Sequence, residues 1–188
     1  MNRREAISSV TLLLGGTLLG AEAFLSGCKN PAADASLSFS ATDISFLNEV
    51  AETILPATST PGAKEAKVGD FMTVIVKDCY EAKDQTIFKE GMNKLQEACK
   101  KACGKSFMEA TPEQRHDLLV ALDKEQKEYQ SKKKPEDPNH YFRMMKELTL
   151  WGYFTSEIGA TKALRYVAVP GKYEGCIPYK KGDKAWAT

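Results

Sequence analysis

Cys99 and Cys103 stand one helical turn apart, a spacing that puts both thiols on one face and could offer two thiolates to a metal or cluster. Further ligands do not accompany them, so they read first as core thiols or as one thiol bridged elsewhere, and no metal is expected. His116 and His140 fall in different helical segments, and neither has a metal-ligand companion at i+3 or i+4, so both read as ordinary exposed or core histidines. Asp117 and Asp123 are too far apart on a helix to be presumed a catalytic pair, and no serine sits in a nucleophile-elbow context. No glycine-rich strand-to-helix turn lies beyond the apolar first 28 residues, which argues against a Rossmann-type nucleotide site, and no Cys-x-x-Cys-His attaches a haem. The chain is therefore expected to hold no catalytic residue and no cofactor of its own.

A different chemistry is written at Cys28. Arg3 and Arg4 precede an apolar run from about Ile7 to Phe24, and Leu25-Ser26-Gly27-Cys28 closes it. This order is that of a secretory signal rather than a membrane span. Gly15, Gly16 and Gly20 weaken a soluble helix there, and no polar face follows the helical period. Leu-Ser-Gly-Cys resembles a bacterial lipobox, in which cleavage before the cysteine leaves a sulfur that carries diacylglycerol. The paired arginines suggest a twin-Arg leader, the address of chains exported already folded. Residues 1–27 are thus expected to be a removable signal, Cys28 the lipid-bearing end of a tether over residues 28–39, and residues 40–188 the folded domain on the periplasmic face of the cell envelope. Cys79, Cys99, Cys103 and Cys176 are then possible disulfide partners or buried thiols, and sequence does not choose their pairing.

Lys plus Arg number 26 and Asp plus Glu 25, a net charge of +1 that makes no electrostatic case for nucleic acid or an acidic substrate. The run Lys132–Lys134 reads as a solubilising stretch in a charged loop from Ser131 to Pro138.

The elements that would carry these residues are helical. Ser40 and Asp43 form a start signal, Ile44, Leu47, Val50, Ala51, Ile54 and Leu55 follow helical spacing, and Pro56 ends the run. After the turn Thr60-Pro61-Gly62-Ala63, Val68, Phe71, Met72, Ile75 and Cys79 predict a second amphipathic face. A third helix is expected from about Gln85 to Cys103, with Phe88, Met92, Leu95, Cys99 and Ala102 inward and Gly104 as its stop. Thr111-Pro112-Glu113-Gln114 starts a fourth that should reach about Gln130. From Asn139 a fifth places Tyr141, Met144, Met145, Leu148, Trp151 and Thr155 on one side, and Ser156–Tyr166 should hold a short helix broken at Gly159. Nothing alternates with period two for long enough to build a sheet. The expectation is an all-α bundle of about five or six helices with an irregular C-terminal arm.

Residues 167–188 make that arm. Pro170, Gly171, Gly175, Pro178 and Gly182 forbid a regular helix, while Tyr173, Ile177, Tyr179 and Trp186 are costly to leave in water. The arm must therefore wrap its own bundle or dock on another protein.

Four stretches carry a family likeness: Phe46–Pro56 with its Ile54-Leu55-Pro56 ending, the turn Thr60–Ala63, the segment Leu148–Gly159, and the arm Tyr166–Cys176 closing with Ala185-Trp186-Ala187. In these the chain resembles the gluconate 2-dehydrogenase subunit 3 family, the small subunits of membrane-associated sugar and polyol dehydrogenases. The resemblance implies a non-catalytic subunit. Its partner would be a large FAD-dependent subunit of the glucose-methanol-choline oxidoreductase type, which lacks its own signal and crosses the membrane folded on the small subunit's leader. In many members a c-type cytochrome accepts the electrons. A lipid on Cys28 departs from that pattern and would make the subunit an anchor to the membrane as well as an escort. On this reading Arg3 and Arg4 carry export, and Trp151, Tyr153, Tyr166, Pro170, Gly171, Tyr173 and Trp186 form the partner interface or hold its shape. The competing reading of the same sequence is a free-standing helical envelope lipoprotein that acts as a binding module.

Overall fold

The computed structural model describes residues 37–169, 171–172 and 174–187. Arg3, Arg4, Cys28, Pro170 and Tyr173 lie outside the described residues. By contacts the chain divides into a unit Met1–Leu37 and a compact unit Ser38–Thr188, and the second carries the fold. Among the described residues it is all-α: five α-helices and a short π-helix, with no sheet.

Helix α1, Ala41–Ile54, begins where its cap chemistry dictates. Ser40 Oγ accepts from the Asp43 amide at 3.2 Å, and the Asp43 carboxylate accepts from the Ser40 amide at 2.9 Å. Two of the otherwise orphaned first-turn donors are thereby satisfied. Phe46, Leu47, Val50 and Ala51 form its buried face. Helix α2, Val68–Cys79, has no side-chain cap of its own, since Lys67 precedes it in the left-handed region at φ 53°. Asn48 of α1 supplies the cap, its Oδ1 accepting from the Gly69 amide at 2.8 Å. Gly69 permits that approach: a Cβ there would stand 2.7 Å from the Asn48 backbone nitrogen.

Three positions of the expected α2 face are corrected. The buried row is Val68, Met72 and Val76, whereas Phe71 and Ile75 are half-buried and Cys79 is exposed. Both rows obey an i, i+4 period, so periodicity alone could not separate them. Helix α3, Ala82–Cys103, starts three residues before the expected position and buries Phe88, Met92, Leu95 and Cys99. Ala102, expected inward, is exposed. Gly104 ends α3 in the left-handed conformation at φ 71°, its amide donating to Lys100 O at 2.9 Å. The link to the next helix buries Phe107 and Ala110, and the Phe107 ring meets Phe46 edge-on at 5.5 Å.

Helix α4, Pro112–Lys132, opens on a reciprocal Thr111–Gln114 box and runs two residues beyond the expected end. Helix α5, Tyr141–Thr155, is capped by His140, whose Nδ1 accepts from the Phe142 amide at 3.3 Å. It packs against all four other α-helices and is the centre of the bundle. Tyr141, Phe142, Met144, Met145, Leu148, Thr149, Gly152 and Tyr153 are buried. Trp151 and Thr155, expected on that face, point outward. The inward stripe instead advances through Thr149, Gly152 and Tyr153, small enough at Gly152 to admit the Phe71 ring, which a Cβ would meet at 2.6 Å.

The chain becomes helical again at Glu157, and Gly159 does not break it: Gly159–Ala163 widens into a π-helix. Gly159 is required by space, because a Cβ would fall 1.8 Å from Tyr153 O.

Candidate partner-binding surface

One acidic residue of α1 organises the ground beneath the surface. Glu49 accepts from Lys64 Nζ at 2.8 Å and from Arg115 of α4, joining α1, the following loop and α4. Burial works against its charge, yet the hydrogen bonds from Lys64 and Arg115 outweigh it and hold the carboxyl below its usual range. One turn on, Glu52 accepts from the Ala57 and Lys64 amides at 2.9 and 2.8 Å and so shapes the loop containing Thr60–Ala63. The Tyr153 hydroxyl completes the arrangement by donating to Pro61 O at 2.6 Å. Three of the four sequence stretches singled out above thus meet: the end of α1, the Pro-Gly turn and α5.

Tyr153 is only 4 % exposed and lies within the body of the bundle. Trp151 is 52 % exposed and meets the half-buried Phe71 edge-on at 5.2 Å. Leu150 and Phe154 beside it on α5, and Val74 one turn beyond Phe71 on α2, are exposed as well. Leu150, Phe154 and Val74 were not singled out from sequence, and Phe71 was read only as part of the inward face of α2. Two apolar residues side by side at Leu150-Trp151 were the available signal, since a helix cannot turn both into one narrow stripe.

Beyond the π-helix the arm folds back on itself. The Arg165 amide donates to Ala185 O at 2.8 Å, and the Ala187 amide to Arg165 O at 3.0 Å. The Arg165 guanidinium lies 3.8 Å from the Trp186 ring centroid, a cation–π contact that closes the loop between them. Lys184 Nζ also donates to Lys162 O on the π-helix. Around this clasp Tyr166, Val167, Val169, Ile177, Tyr179 and Trp186 remain exposed, Val169 by 82 % and Tyr179 by 76 %. Gly171 sits at φ 71° with open space around it. The arm therefore clasps its own base and leaves these six apolar side chains in water, a surface whose burial would be favourable.

The histidines and aspartates considered from sequence lie elsewhere. Asp123 of α4 accepts from Lys127 at 2.8 Å and Lys146 at 2.6 Å, and these hydrogen bonds pull its pKa down to about 2. It lines a shallow depression of about 330 Å³ with His116, Lys124 and Phe142. His140 accepts from the Phe142 amide and approaches Glu125 at 3.4 Å. Cys79 and Cys176 are exposed and free; Cys99 is buried and Cys103 half-buried, their Sγ atoms 3.5 Å apart. Burial, ahead of the hydrogen bond with Cys103, pushes the Cys99 thiol up to about 11. Among the described residues no three His, Cys, Asp or Glu side chains cluster as a metal site, and no helix is long and apolar enough to cross a membrane.

A family model described as gluconate 2-dehydrogenase subunit 3 matches residues 41–171, from the first residue of α1 to the start of the arm. No curated protein and no solved structure matches the chain.

Proposed function

Since the chain belongs to the gluconate 2-dehydrogenase subunit 3 family, we propose that it is the non-catalytic small subunit of an FAD-dependent dehydrogenase that oxidises a sugar, sugar acid or glycoside on the periplasmic side of the envelope. The flavin belongs to a large partner of the glucose-methanol-choline type; in many members of the family a c-type cytochrome takes the electrons onward. Arg3 and Arg4 carry the folded pair across the membrane, and a lipid on Cys28 anchors it. More than one acyl chain at that terminus gives stable attachment, each buried methylene adding ~0.8 kcal/mol.

The observation that carries this reading is the family match over the helical body, joined to a surface that suits a docking role: Trp151 on α5, and Tyr166, Tyr179 and Trp186 on the arm, all presented to solvent. Aromatic side chains held outward on a rigid scaffold are the usual anchors of a protein interface. Gly171 shares the arm with them; Pro170 and Tyr173 are assigned to the same surface from sequence alone.

Gentle purification of the tagged mature protein from its native envelope tests the assignment. The expected result is a large co-purifying chain and a flavin absorption spectrum. A colourless protein recovered alone would overturn the subunit reading.

A further inference from the structure

The Cys99–Cys103 pair at the end of α3 is not used by the docking surface. Its sulfurs lie 3.5 Å apart, and Cys103 Sγ donates to Cys99 O at 3.1 Å. Cys99 is 1 % exposed, so the pair meets solvent through the half-buried Cys103. An α-helix keeps Cβ atoms at i and i+4 about 5–6 Å apart, whereas a disulfide needs them at about 3.5–4.5 Å. Direct closure would have to unwind the end of α3, which the Gly104 cap holds. An ion inserted between the sulfurs needs no such approach, because the same spacing lets them swing apart around it.

Arg115 supplies the balancing charge. Burial and the hydrogen bond with Cys103 keep the Cys99 thiol protonated, and against them Arg115 favours the thiolate that an incoming ion would form. Glu49 and Met108 O fix the guanidinium, while its Nε–H is buried with no acceptor among the described residues. Two thiolates on a monovalent cation leave one negative charge for this guanidinium to offset. Zinc would require about four protein or water ligands, and no third His, Cys, Asp or Glu joins the pair among the described residues.

We propose that Cys99 and Cys103 form a two-coordinate thiolate site for one soft monovalent cation of the Cu(I) class. Thiolate ligands select such ions. On binding, both S–H bonds break, two sulfur–metal bonds form and two protons pass to solvent; nothing is oxidised or reduced.

The test uses the full chain carrying Cys28→Ser, Cys79→Ser and Cys176→Ser, reduced and free of oxygen, titrated with Cu(I) against a chromophoric Cu(I) chelator. One equivalent per chain is expected, with X-ray absorption showing two sulfur neighbours. Adding Cys103→Ser should abolish competition with the chelator, and Cys99→Ala should do the same, with circular dichroism confirming helical content in each. Absence of uptake by the triple variant overturns the proposal. So does uptake that survives Cys103→Ser, or a Cys99–Cys103 disulfide, seen as loss of two hydrogens by mass, as the only product.

Discussion

Removing the hydroxyl of Tyr153 leaves Pro61 O without its donor at the point where α5 holds the Pro-Gly turn. Tyr153→Phe should therefore destabilise the protein by about 1 kcal/mol, read as a fall in urea midpoint with an unchanged slope. Asp123 gives a second prediction, with its sign set by the direction of the shift. Its folded pKa, about 2, lies below the ordinary value of 3.8, so the stabilisation from Lys127 and Lys146 is complete above about pH 4 and lost as pH falls through 2. Asp123→Asn should be less stable at neutral pH and should show a flatter stability profile between pH 4 and 2 in thermal melts. Two residues on one element thus end in opposite places: Tyr153 faces the core and Trp151 faces solvent, though sequence assigned both to the same role.

At the scale of elements, the π-helix is the place where a small change does most. Gly159→Ala would drive a methyl group into Tyr153 O, a clash that small adjustments cannot relieve. A loss of about 1–3 kcal/mol is expected, visible as a lowered midpoint in circular dichroism melts. The helix starts at Ser40 and Thr111 and the stop at Gly104 were legible in sequence because each is a local contract between a side chain and backbone groups within four residues. The cap of α2 was not, because Asn48 reaches it from another helix. Trp151 was read as inward because its spacing from Leu148 is helical; what decides its position is Phe71 packing against Gly152, which no local pattern records. The break expected at Gly159 failed for a related reason, since that glycine answers crowding from the preceding turn and not a need to end the helix. Of the surface, the arm's aromatics were legible as residues too costly to leave bare, and the clasp that leaves them bare was not.

For the whole molecule, helical body and arm should be separable by mutation. Tyr166→Ala with Trp186→Ala should release the proposed flavoprotein partner in a pull-down while the melting of the bundle changes little, because neither side chain belongs to the core. Unchanged co-purification would count against the arm as the docking surface. The proposed export role has an independent readout: replacing Arg3 and Arg4 by lysine should strand the proposed flavoprotein partner in the cytoplasm, detected by fractionation and flavin fluorescence. The Arg165–Trp186 clasp has one more consequence, which concerns chain entropy. An arm tethered at one end would sample many shapes, and a partner would have to select one of them. Joined at both ends it is a closed ring, and the cost of bringing those ends together, which grows only as the logarithm of loop length, is met during folding. A partner then meets an arm whose two ends are already joined, and more of the binding energy of its aromatic contacts is left to set how long the complex lasts.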